Sequence, residues 1–179
     1  VVARASYPVL IKNQVLEAGI QAYKGQFTLL STTSGVGTAT DKLYNDERVG
    51  ATFVLYPKPF GILAEYNIGR GPEYDKLTNS VIESPLKGGF ITASYKLDFN
   101  GQTLIPFSRF QYYDGGKKHE LDARSYEVKE LEIGAEWQPN KNFELVVMYT
   151  MSERRYEDYA KQDNFQKGNL MRIQAQINF

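Results

Sequence analysis

The sequence predicts an all-β chain, an antiparallel up-and-down transmembrane β-barrel, on three observations. Apolar and polar residues alternate with period two in segment after segment, the signature of strands with one face apolar. The apolar faces carry no charge in their central stretches, whereas the opposite faces hold Glu, Arg, Lys, Gln and Asn in mid-strand. The connections alternate between short and long. A soluble sandwich would have to bury one of these two faces, and it could not bury so many charges unpaired.

Nine crossing segments are expected. Residues 1–11 form the first, with Arg4 on the polar side. In 15–23, Leu16, Ala18, Ile20 and Ala22 oppose Glu17, Gly19, Gln21 and Tyr23. In 47–56, Val49, Ala51, Phe53 and Leu55 oppose Arg48, Gly50 and Thr52. In 61–69, Ile62, Ala64, Tyr66 and Ile68 face away from Glu65 and Asn67. Segment 90–97 sets Ile91, Ala93, Tyr95 and Leu97 against Thr92, Ser94 and Lys96. Segment 103–113 puts Arg109 and Gln111 opposite Phe110 and Tyr112, with a bulge or a break in pairing expected at Pro106, which has no N–H to donate. Segment 130–137 sets Leu131, Ile133, Ala135 and Trp137 against Glu130, Glu132, Gly134 and Glu136. Phe143, Leu145, Val147, Tyr149 and Met151 form the apolar face of 143–152. The last segment opposes Met171, Ile173, Ala175, Ile177 and Phe179 to Arg172, Gln174, Gln176 and Asn178.

Short turns are expected at 12–14, 57–61, 98–102 and 138–142, and long polar loops near 30–46, 70–88, 114–127 and 153–168. No linker divides the chain, so residues 1–179 read as one domain. Segments of about 9–11 residues suit a tilted crossing of the bilayer. Tyr66, Phe110, Tyr112 and Tyr149 gather towards the long-loop side and Trp137, Phe143 and Phe179 towards the short-turn side, as two interfacial girdles. A lipocalin is the competing fold for this length. It needs a tryptophan in the first strand and usually a late helix, and the single Trp here is Trp137.

Composition narrows the function. Lys+Arg and Asp+Glu are 21 each, which leaves no electrostatic case for nucleic acid. The absence of cysteine excludes a thiol nucleophile and a Cys-ligated metal, and a single His119 excludes a multi-histidine site. No phosphate loop, metal spacing or cofactor motif appears. The carboxylates Glu130, Glu132 and Glu136 share one face and read more simply as a hydrated wall than as acid–base machinery, so no enzyme is expected.

The segments IPFSRFQYYDGGKK (105–118) and ELEIGAEWQPNKNFELVVMYT (130–150), with the ending IQAQINF, resemble the phosphate-selective porin O/P family. The resemblance covers the whole chain as that family's C-terminal portion. It implies a trimeric outer-membrane channel of about sixteen strands, of which the N-terminal part would precede residue 1. An odd count of crossings, the first starting outside, points the same way. Loops would fold into the lumen, and basic residues would pass phosphate or related anions. Arg48, Lys96, Arg109 and Arg172 are the lumen-facing candidates, against an acidic set of Glu65, Glu130, Glu132 and Glu136. Infolded loops could add Lys117, Lys118 or Arg124. Phe179 would serve as the terminal signal read by the barrel-assembly machinery. Outer-membrane lipid and small solutes or anions are the other expected partners. The competing function is a structural or adhesive surface protein whose outer loops bind a partner.

Overall fold

A computed structural model describes residues 1–29, 42–117 and 123–178. They form one antiparallel sheet: β1 (Val2–Ile11), β2 (Gln14–Leu29), β3 (Lys42–Leu55), β4 (Phe60–Asp75), β5 (Ser80–Tyr95), β6 (Leu97–Phe99), β7 (Gln102–Gly116), β8 (Ser125–Asn140), β9 (Phe143–Glu157) and β10 (Asn164–Ile177). The order along the sheet is β1-β2-β3-β4-β5-β7-β8-β9-β10, so neighbours in sequence are neighbours in space. No helix occurs among the described residues, and none is long and apolar enough to cross a membrane. β1 and β10 do not pair with each other, and the sheet is open.

The nine expected crossings are the nine strands of this path. The short β6 continues β5 beyond a gap. Ser94 pairs with Phe107 and Leu97 with Leu104, so the register is the same on both sides of the gap. Continuing that register places Tyr95 opposite Pro106, which has no N–H to donate, and the ladder is interrupted there. On its other edge Pro106 stays in register with Ala135 of β8. A second irregularity falls between Trp137 and Asn140, around Pro139. The turn after β6 has Asn100 at φ 48 and Gly101 at φ 76, the left-handed pair that a two-residue hairpin needs.

Strand residues reach into all four expected long loops, and two of these are corrected most. Residues 70–88 are not a loop: β4 and β5 pair continuously from Phe60↔Tyr95 to Asp75↔Ser80 around a four-residue turn. The β9–β10 ladder likewise extends to Asn164↔Tyr156. Beyond the membrane both faces of a strand can be polar, so the period-two signal fades while the backbone ladder goes on.

Burial is inverted through the middle of the sheet. Ile20 is 67% exposed, Ile68 54% and Ile133 53%, while their polar neighbours Gln21, Asn67 and Glu132 are half-buried on the other face. The sheet therefore curves with its polar side inward and its apolar side outward. Charges bound the apolar belt at the hairpin-tip end: Lys24 meets Glu47 at 2.7 Å, Lys129 meets Glu127 at 2.9 Å, and Lys167 pairs with Glu153. From Leu16 to Lys24 the chain rises about 27 Å, or about 21 Å of depth at a tilt of about 40°, against a barrel's apolar band of about 25 Å.

This rim is not level with the hydrogen-bonded rows. The row through Lys24, Glu47 and Arg70 continues to Pro85, whereas the row through Lys129, Glu153 and Lys167 meets Ile20 on β2. Charges that step along successive strands stay at one depth only if the strands are tilted. Tyr56, Phe60, Tyr95, Phe99 and Trp137 mark the opposite, short-turn end.

Among the described residues, a conventional core sits only at the tip end. Leu29, Tyr44, Tyr74, Val81 and Ala123 are buried together. The β4–β5 hairpin tip holds this cluster by reaching across the concave side. Tyr74 N donates to the carbonyl of Ala123 (2.7 Å), Ser125 Oγ donates to Glu73 (2.6 Å), and Lys76 reaches Asp163 (2.7 Å) and Glu157 (3.4 Å).

Candidate functional site

The inward face is the candidate site, because it alone combines charge with partial burial. The register settles which residues it carries. Arg48 lies between Tyr23 and Gly69, and Arg109 between Thr92 and Glu132. Arg172 lies beside Met148 on the same face as Glu132 and Glu136. Lys96 alternates with the outward Tyr95 and Leu97 and so faces inward, and Arg4 sits opposite Gln21. The predicted residues thus share one face, but they do not form one cluster.

Most of the cations are already engaged. Arg48 pairs with Asp46 (3.3 Å), Lys96 with Asp98 (3.3 Å), and Arg154 with Glu130 (3.3 Å). Arg109 lies over the Phe90 ring, 4.4 Å from its centroid, and its Nε has no hydrogen-bond partner. Arg172 makes no hydrogen bond or ion pair among the described residues. The acidic set is held differently. Glu65 accepts from the amides of Gln21 (3.1 Å) and Asn67 (2.7 Å), Glu132 from the Thr150 hydroxyl (3.3 Å), and Glu136 from Gln138. These three carboxylates receive neutral donors only, so their charge is felt in the lumen. Glu130 differs, being shared by Arg154, Ser152 and Gln111.

Two groups of inward residues escaped the sequence reading. Asp46 and Arg154 were assigned to loops, yet both lie on the inward face because the strands run further than the apolar alternation. Phe90 and Phe107 also face inward, as their parity with Thr92 and Arg109 required. The Phe107 ring lies against Gly134: a Cβ there would be 2.6 Å from the Val147 carbonyl oxygen and 2.7 Å from the ring's Cζ, so both the ladder and the ring need glycine at 134.

At the tip end, Lys117 and Arg124 flank the β7–β8 connection. Lys117 lies over the Tyr126 ring (5.0 Å), and Arg124 lies over Tyr156 (5.0 Å) and 3.5 Å from Asp158. Above the belt, burial pushes the Glu73 carboxyl upward, opposed by the Ser125 hydrogen bond. In the exposed loops, the hydrogen bond between Lys76 and Asp163 raises the lysine and lowers the aspartate. Lys118, His119 and Phe179 lie outside the described residues. No cluster that could hold a metal ion occurs among the described residues.

An inward wall of this composition can replace part of a solute's hydration shell and bias which charge enters. No curated protein and no solved structure matches the chain significantly. A family model does match, described as phosphate-selective porin O and P, over residues 3–179. An open, tilted, inside-out sheet and a match over essentially its whole length lead to one conclusion: the chain belongs to the phosphate-selective porin O and P family.

Proposed function

We propose that the protein forms a passive diffusion channel of the outer membrane for small hydrophilic solutes, phosphate and other anions among them. The inverted burial carries this reading: apolar side chains are exposed where a soluble protein would cover them, and charges line the concave side. Lipid-exposed sheet edges are not tolerated in a bilayer, so β1 and β10 must gain partners from further strands to close the wall. A homotrimer, and recognition of the terminal strand at Phe179 by the barrel-assembly machinery, belong to the same proposal. The tip end would face outward and the short turns the periplasm.

Anion preference rests on the family description and on Arg4, Arg109 and Arg172, inward cations with no carboxylate partner among the described residues. Planar-bilayer conductance in a salt gradient tests both layers. A conducting pore with an anion-directed reversal potential is expected. Absence of conductance would favour the structural or adhesive alternative, and a cation-directed potential would defeat the anion reading alone. Arg109→Ala and Arg172→Ala should each weaken anion preference.

A further inference from the structure

We infer that the inward wall of β8, β9 and β10 holds a binding subsite for a small zwitterionic solute, with Glu132 taking its ammonium and Arg172 its carboxylate. The inference rests on the channel reading and narrows its solute class. Between these strands lies an open depression of about 360 Å³, lined by Glu132, Thr150, Ser152, Leu170 and Arg172 among others. Glu132, Thr150 and Leu170 share one row, and Gly134, Met148 and Arg172 the next inward-facing one. Glu132 and Arg172 are therefore two strands and one inward position apart, about 12 Å between backbones. Glu132 and Arg172 form no ion pair with each other, and the depression they border has room for one small molecule between the opposite charges.

Among the described residues each of the two charges can meet a ligand, Arg172 from the edge strand β10. Glu132 receives only the Thr150 hydroxyl, and Arg172 has no partner among the described residues. The neighbouring ions do not compete. Arg154 is taken by Glu130, which also accepts from Ser152 (2.7 Å). Arg109 is in register with Glu132 but lies over Phe90. Lys167 is paired with Glu153 on the outward face. Leu170 offers apolar contact to the methylenes between a solute's charges. A guanidinium grips a carboxylate through two parallel N–H donors, and a carboxylate accepts from an ammonium, so a zwitterion satisfies both ends. A solute with one charge leaves the other end unmet.

The test uses the intact protein in planar bilayers and in swelling liposomes, with γ-aminobutyrate as probe and butyrate and butylamine as single-charge controls. Conductance in potassium chloride is read first: if the wild type does not conduct, the channel reading fails before the subsite is examined. In a conducting channel, γ-aminobutyrate should block current or permeate better than either control. Glu132→Gln and Arg172→Gln should each remove about threefold to tenfold of that advantage. The double exchange Glu132→Arg with Arg172→Glu should restore part of it, since a flexible solute can bind reversed. Equal behaviour of the three solutes in the wild type, or an advantage untouched by either Gln variant, would overturn the subsite.

Discussion

The belt and the tip of this sheet obey opposite rules of burial. In the belt Ile20, Val49, Ile68, Ile91, Ile133 and Ile173 stand exposed on one face while polar residues crowd the other. At the tip, a few residues further along the same strands, Leu29, Tyr44, Tyr74 and Val81 are buried together, as in a soluble protein. The same backbone ladder runs through both. The solvent differs: hydrocarbon replaces water around the belt, so apolar side chains gain by facing out, whereas the tip returns to water and must bury them. Reading a solvent boundary off a burial reversal is the general lesson.

Four perturbations break or sharpen this contrast, the largest first. Tyr74 is 2% exposed and its hydroxyl bonds to Asn79 (3.1 Å) and Gln162 (3.2 Å), so Tyr74→Ala should cost about 3–5 kcal/mol of local packing. Proteolysis should then cut the hairpin tip, while Leu77→Ala, 90% exposed, leaves it resistant. In the belt the rule inverts. Ile133→Lys places a charge on the outward face and should cost about 2–4 kcal/mol in urea-dependent folding into vesicles. Val146→Lys faces inward opposite Glu136, and a much smaller loss is expected; equal losses would contradict the assigned faces.

Third, Gly134→Val should displace the Phe107 ring and also push on the Val147 carbonyl of β9, 2.6 Å from the added Cβ, so conductance and stability should fall together. Single-channel current compared with the urea midpoint checks this. The smallest effect is the pH dependence of the Lys76–Asp163 tie. The aspartate is lowered in the folded state, so its contribution is present above the unfolded value of about 3.9 and is lost as pH falls through the folded one. The lysine is raised, so its contribution is present below about 10.4 and is lost only as pH rises through the folded value. The tie's contribution to protease resistance of the tip should therefore fall in acid and hold from about pH 5 to 9; a rise in sensitivity above that acid range would point to another group, the half-buried Glu73 first.

The belt was almost fully legible in the sequence, and the tip was not. Alternation placed Arg48, Lys96, Arg109 and Arg172 on one face, and Pro106 announced the gap that separates β6 from β5. In 70–88, polar residues on both faces hid a continuous hairpin. Nor could alternation show that Asp46 neutralises Arg48, that Phe90 lies under Arg109, or that Glu132 and Arg172 border one depression.

By itself, then, the sequence determined which residues meet lipid and which meet the lumen, because a period of two is fixed by the geometry of a single strand. Only the tertiary structure decided how those residues are paired. Partners across a sheet come from strands whose register is set by the whole ladder and by where the hairpin tip folds back. A carboxylate held by a neutral hydroxyl and one held by an arginine look alike in the sequence, and they differ in the charge they present to a passing solute.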